Sequence, residues 1–400
     1  MAVAAGAAVL TGIGLAGPAA AAPARTHAYT TINGSGSSWA EVAIDQWSQD
    51  VQAKGITVNF NPDGSAQGLE DYIQGQNDFT ASDLPFRTGR DKIAGLGPQK
   101  VRYGFSYVPD VAGGTAFVYH LNARGHRILN LRLSGPTIMK IFTGQIRNWD
   151  NRQITRDYGR QLPSIPITPV VHAEGAGDTF FLTRWMAHQF PRQWNAFCKK
   201  VTHGRVARNC GPTEFYPTSG WGNVRAENGS NNVVTYIDSP HANGAIGYDE
   251  YADALNARAP VVRLRNPAGR YVLPAATSVT IALRRAQINE NPHSTEFLQQ
   301  DLDHVYTFRN PRSYPLSSYS YLVVPRTGRK PAPPTFSRAK GRTLSTFVAF
   351  LLCPQAQRQV PALGYAKLPP NLVRGGLLQA GHIPGHIRIP QLGRRGCRLG

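Results

Sequence analysis

Cysteine is scarce in this chain of 400 residues: there are four, and none forms a Cys-x-x-Cys pair. That disfavours a zinc–thiolate site. Acidic residues are also few, with 24 Asp and Glu against 43 Lys and Arg, which leaves a formal charge of +19. After the first two dozen residues no window is apolar and long enough to span a bilayer. No solenoid-period repeat, collagen pattern, coiled coil or long low-complexity tract is present. Neither Gly-x-Ser-x-Gly nor His-Glu-x-x-His occurs, so no catalytic residue is assigned and an enzyme is not expected; a hydrolase stays as the weakest alternative. The basic residues are spread along the chain, with denser spots at 326–330, 338–342 and 394–398. No nucleic-acid-binding module accompanies them, so nucleic acid is not an expected partner; loose adhesion to an anionic cell envelope is the milder reading.

What is there is 41% hydrophobic residues, enough for a sizeable core, cut by 40 glycines and 30 prolines into short elements. Met1 to Ala22 is Ala- and Gly-rich and runs into Ala-Ala-Pro-Ala-Arg25, so residues 1–24 read as an export signal with a small-residue cleavage site between Ala21 and Arg25. The basic residues that usually precede such a stretch are missing, which suggests a true start upstream of Met1. A membrane anchor is the competing reading; weak hydrophobicity and Gly17-Pro18 count against it. The expected location is therefore secreted, extracellular or cell-envelope, and no cysteine near the cleavage site supports lipid attachment. In that setting the cysteines are expected as disulfides, Cys198 with Cys210 across a short loop and Cys353 with Cys397 at the tail, though four cysteines allow three pairings.

The pattern along the chain alternates strands and helices, the mark of an α/β fold. Thr30 to Ser38 is a strand running into a Gly/Ser loop, followed by Trp39, Val42, Ala43 and Trp47 at helical spacing with Ser37 or Ser38 as N-cap. Strands follow at 56–60 and 78–83, the first ending in the turn Asn61-Pro-Asp-Gly64, with a helix starting near Ser65 between them. Further strands are expected at 114–119, 167–171, 244–248 and 319–324, and helices at 137–142, 179–188 and 343–352. Residues 376–400 read as a loosely ordered basic tail.

Several of these segments are similar to one family in the same order. They are Gly34-Ser-Gly-Ser-Ser-Trp39, Gly64-Ser-Ala-Gln-Gly68, Asp78-Phe-Thr-Ala-Ser-Asp83, Leu133-Ser-Gly135 with Ile141-Phe-Thr-Gly-Gln-Ile-Arg-Asn-Trp149, Gly244-Ala-Ile-Gly-Tyr-Asp-Glu-Tyr251, Tyr314-Pro-Leu-Ser318 and Ala362-Leu-Gly-Tyr-Ala-Lys-Leu-Pro369. Singly each is weak; together, over residues 30 to 372, they resemble the phosphate-binding solute-binding proteins of bacterial ABC importers. The resemblance implies a two-lobed periplasmic-binding-protein-like α/β fold with a hinge and an interlobe ligand cleft. Lobe one would be 28–115 plus 262–372 and lobe two 116–261. The implied ligand is a small oxyanion, phosphate by default, and the implied partner an ABC transporter permease. A monomer and no cofactor are expected.

Gly-rich loops opening helices present backbone N–H groups and a positive dipole end to an anion, and serine hydroxyls add donors. Gly36, Ser38 and Ser65 meet that requirement. Asp83, by resemblance, accepts a hydrogen bond from a protonated phosphate oxygen and so rejects sulfate; its plain alternative is a capping residue before Leu84-Pro85. The third loop departs from the family's Arg-x-Asp-Gly-Ser-Gly-Thr. Here His172-Ala-Glu-Gly-Ala-Gly-Asp178 puts His172 at the arginine position, Ala176 at the serine and Asp178 at the threonine. Backbone donors at Ala176 and Gly177 remain, but a charge-assisted donor and two hydroxyls are lost and a negative charge is gained. The expected ligand set is Ser38, Ser65, Asp83, His172, Gly177 and Asp178, with weak or absent phosphate binding. His172, Glu174 and Asp178 are residue types that bind divalent metals, but no supporting pattern is visible and no metal site is expected. A secreted surface or signalling protein that keeps the fold and has lost transport is the alternative function.

Overall fold

The structure is a computed structural model that describes residues 1–2, 29–219 and 221–388. Most of the expected export signal and Cys397 lie outside the described residues. Eight strands form the main sheet: β1 (Ile32–Gly36), β2 (Val58–Asn61), β3 (Phe79–Ser82), β4 (Phe105–Tyr119), β5 (Thr168–His172), β6 (Arg225–Glu227), β7 (Ala245–Glu250) and β8 (Ser317–Pro325). Their order across the sheet is β2-β1-β3-β8-β4-β7-β5-β6. The outer pairs β1–β2, β1–β3, β5–β7 and β5–β6 are parallel, whereas β8 and β7 run antiparallel to β4.

One long strand joins the two lobes. Residues 105–114 of β4 pair with β8, and residues 115–119 pair with β7. From the sequence only 114–119 reads as strand, and Pro109, Asp110 and Gly113 argue locally against extending it upstream. The sheet overrides those local preferences, since the segment is buried on both faces and tertiary pairing decides.

The helices cover the sheet with the faces their apolar spacing requires. In α1 (Glu41–Gln52), Ala43, Ile44, Trp47 and Val51 are buried. After α2 (Ser65–Gln74) and α3 (Gly135–Phe142) comes α4 (Gly177–Gln189), which buries Phe181, Leu182, Trp185 and Met186. Then come α5 (Ser230–Asp238), α6 (Arg338–Leu351) and α7 (Pro370–Ala380). The stretch from Ile141 to Trp149 is structural. Trp149 is fully buried and its Nε1 donates to the Gly244 carbonyl at 3.0 Å. Gly244 needs its positive φ of 97°, and a Cβ there would sit 2.3 Å from the Pro166 carbonyl oxygen.

Three expectations need correction. Neither Ser37 nor Ser38 caps α1; its N-cap is Ala40 without a side-chain bond, because both serines are used in the cleft. The tail is ordered further than its composition suggests: α7 runs to Ala380, and Leu377, Ala380 and Ile383 are buried. Residues 263–265 and 271–272 join a small sheet with Arg132–Leu133, across the boundary expected near residue 262.

Cys198 and Cys210 form the expected disulfide. It tethers a segment that reaches lobe one, where Thr213 Oγ1 donates to Asp91 Oδ2 at 2.7 Å and Glu214 pairs with Arg87. Cys353 is buried; Cys397, its expected partner, lies outside the described residues. Among the described residues no helix is long and apolar enough to cross a membrane.

Candidate functional site

The cleft is assembled from strand ends. β1 ends at Gly36, whose φ is 127°. Its carbonyl accepts from Gly64 N at 2.8 Å, and Ser37 N donates to the Ala81 carbonyl at 2.8 Å. These bonds hold the first loop against the end of β3. There Asp83 Oδ2 accepts from Ser37 Oγ at 2.6 Å and from Ser65 Oγ at 3.0 Å. Of the two adjacent serines, Ser37 is the one that meets Asp83. Ser38 instead accepts from Ser230 Oγ at 3.0 Å, across the cleft at the start of α5.

The lobes touch at these loops. The amide of Ala66, in the first turn of α2, donates to the Gly175 carbonyl at 3.0 Å. A Cβ on Gly177 would lie 2.0 Å from Asp83 Oδ2, and one on Gly175 would lie 2.4 Å from Ala66 Cβ. All six predicted ligand residues are therefore brought to one cleft, but their donors and acceptors are turned on one another.

Lobe two contributes a buried acidic group around one imidazole. His172 Nδ1 bonds Glu174 Oε1 at 2.8 Å, and His172 Nε2 stands 3.9 Å from Asp178 Oδ2. Asp178 Oδ1 accepts from Thr115 Oγ1 at 3.1 Å. Asp249, Glu250 and Asp253, at the end of β7 and just after it, are buried beside them. Among the described residues no Lys or Arg forms an ion pair with Asp83, Asp178, Asp249, Glu250 or Asp253.

Burial opposes charge on His172, but the hydrogen bond to Glu174 and the fields of Asp249, Glu174 and Asp178 outweigh it and raise the imidazole to about 10. Burial, with Asp249 adding to it, pushes Asp178 well above the carboxylate range. Asp249 rises to about 6, again through burial, which the positive His172 limits. Asp83 is raised by burial, against which the Ser37 and Ser65 hydroxyls work. The raised carboxyls bind protons more readily than free ones do, and the cluster offers an anion few donors besides the His172 ring.

The same distribution runs through the molecule. Nine acidic side chains are buried (Asp78, Asp83, Asp91, Asp110, Asp178, Glu214, Asp249, Glu250 and Asp253), while no Lys or Arg among the described residues is. The surface is thus more cationic than the net charge suggests, and the interior more acidic.

Half-buried Glu41 lies at the edge of this acidic group and is raised to about 7 by burial, then by Asp45 and Asp249. Its folded value exceeds the unfolded one of 4.5, so its contribution to stability is full below pH 4.5 and is lost as pH rises through 7. After discounting for solvent screening, Glu41→Gln should remove about 1 kcal/mol of the stability lost between pH 5 and 8. Urea midpoints of both proteins across that range check this; parallel curves would refute it.

Sequence reasoning missed Ser37 as the Asp83 partner, Ser230, Thr115 and Asp249. Asp249 had a signal: it stands in the matched segment Gly244 to Tyr251, two residues past the strand centre. The parallel register pairs Ala245 with Thr168 and Gly247 with Val170, which carried two residues on brings Asp249 level with His172.

Two α/β lobes sharing a sheet through one long strand, with strand and helix ends meeting in the cleft between them, define the bilobed solute-binding class of fold. A family model described as a PBP superfamily domain matches residues 21–355, and the chain belongs to that superfamily. Among curated proteins it is 23% identical over 355 residues to the phosphate-binding protein PstS of Methanocaldococcus jannaschii, covering 86% of this chain and 84% of that one. It is 27% identical over 347 residues to PstS of Xylella fastidiosa, covering 86% and 83%. The solved phosphate-binding protein of Stenotrophomonas maltophilia superposes with a TM-score of 0.62 at 17% identity, covering 89% of this chain and 97% of that one.

Proposed function

We propose that the protein is a secreted solute-binding protein that closes two lobes over a small solute and presents it to a membrane permease, with a cleft that takes phosphate weakly or not at all. The family and the names of its relatives, phosphate-binding proteins, support the binding role. The disulfide Cys198–Cys210 is in keeping with export. One observation carries the departure from phosphate: Asp178 stands where the family has a hydroxyl donor, with Asp249 near it and, among the described residues, no Lys or Arg paired with either.

A second reading, a secreted surface or signalling protein that no longer transports, draws on the Ser38–Ser230 and Ala66–Gly175 bonds. These satisfy with protein atoms the groups that would hold a ligand. Native mass spectrometry of protein recovered from the culture medium separates the two. The transport reading expects one small-molecule adduct per chain, lost on unfolding. A bare chain that acquires none from spent medium would overturn it in favour of the second.

A further inference from the structure

We propose that His172, Asp178 and Asp249 form a binding site for a divalent first-row transition-metal ion within the interlobe cleft. Each offers one ligand atom, an imidazole nitrogen or a carboxylate oxygen, and these atoms lie within 4.8 Å of one another. All three residues are essentially inaccessible to solvent. His172 Nε2 and Asp249 Oδ2 have no hydrogen-bond partner, although a buried polar atom left unpaired is costly and normally rare. Ligands at about 2.1 Å from a tetrahedral ion are roughly 3.4 Å apart, so the three groups need only a modest contraction to bind.

The surrounding contacts are those that orient metal ligands. Glu174 Oε1 holds His172 Nδ1 at 2.8 Å, which leaves Nε2 to coordinate once the metal displaces its proton, as carboxylate–histidine pairs do at metal centres. Asp178 is held by Thr115 Oγ1 at 3.1 Å, and Asp249 Oδ1 accepts from the Glu250 amide at 2.8 Å. The second Asp178 oxygen stands 3.9 Å from His172 Nε2. Once the ion displaces their protons, two carboxylates neutralise a divalent charge, and the imidazole favours Zn²⁺ over Mg²⁺ and Ca²⁺, which prefer oxygen ligands, with Mn²⁺, whose carboxylate preference the two aspartates meet, between them. All three ligands are buried, so an ion reaches them only when the cleft opens.

The choice of a cation rests on the reading of this cleft as hostile to phosphate, and the test separates the two. Chelator-stripped full-length mature protein is dialysed to equilibrium against Zn²⁺ or Mn²⁺, with Mg²⁺ and Ca²⁺ as controls, and titrated with phosphate in parallel. One Zn²⁺ or Mn²⁺ per chain is expected. Affinity should fall about 10-fold or more in Glu174→Gln and about 100-fold in Asp249→Asn or His172→Ala, and be unchanged in the exposed-loop variant His293→Ala. Circular dichroism of the near-isosteric Asp249→Asn and Glu174→Gln forms guards against loss by misfolding. No stoichiometric Zn²⁺ or Mn²⁺ binding, or binding that survives Asp249→Asn and Glu174→Gln in folded protein, overturns the site. Weak phosphate binding alongside that failure leaves the proposed function standing, whereas tight phosphate binding overturns the proposed function whatever the metal result.

Discussion

Phosphate affinity should rise about a hundredfold when His172, Ala176 and Asp178 are replaced together by Arg, Ser and Thr. The guanidinium supplies a permanent bidentate donor in place of an imidazole. Serine and threonine restore two hydroxyl donors worth about 1 kcal/mol each. Removing Asp178 abolishes a like-charge repulsion of about 4 kcal/mol at 4 Å and an effective dielectric near 20. The sum exceeds a hundredfold, but burial and Asp249 already hold Asp178 well above the carboxylate range, so only part of that repulsion is present in the native chain. Asp249 would also claim some of the new guanidinium, which is why adding Asp249→Asn should raise affinity about tenfold further. Calorimetry on the native, triple and quadruple forms, with sulfate as control, reads these steps. No gain in either variant would mean that the lobe contacts at Asp83–Gly177 and Ala66–Gly175 exclude the ligand by geometry.

A second large effect is expected at the first loop. Gly36→Ala should cost about 3–5 kcal/mol or prevent accumulation of folded protein. The residue has a φ of 127°, and a Cβ would lie 2.1 Å from the Ala81 carbonyl oxygen, which is backbone of β3 and cannot swing away. The loop must also keep its carbonyl on Gly64 N and its following amide on Ala81 O, so relief of the clash breaks the seat of Asp83. Gly55→Ala is the control: its φ is 76° with open space around the added carbon, so the cost should be only the backbone preference, about 1–2 kcal/mol. Denaturant unfolding of both variants decides it. Equal losses would show that backbone conformation, and not the close approach to β3, governs the first loop.

Much of the fold was readable because strand, Gly/Ser loop and helix follow one another in register with apolar spacing. Ile32–Gly36, Phe79–Ser82 and Gly177–Gln189 all lie within a few residues of their expected bounds. The long crossover strand was half hidden, since Pro109, Asp110 and Gly113 argue locally against a strand that only the sheet on both sides stabilises. The site was legible to the level of loops. Asp83, Ser65 and the third loop were marked by residue type, and the structure brings them together. Which serine of Ser37 and Ser38 faces Asp83 was not, because that depends on the turn that Gly36 makes. Asp249 escaped because its nearness to His172 arises from the pairing of strands 77 residues apart in register. A single sequence carries no trace of that offset.

The most direct measurement is a calorimetric titration of the native, chelator-stripped protein with phosphate at pH 7, with sulfate alongside. The buried Asp178 and Asp249 and the lobe contacts through Asp83 and Ala66 predict phosphate heats no larger than those of sulfate, with no saturation at concentrations that fill a high-affinity site. Saturable, sulfate-discriminating phosphate binding by the native chain would contradict the account.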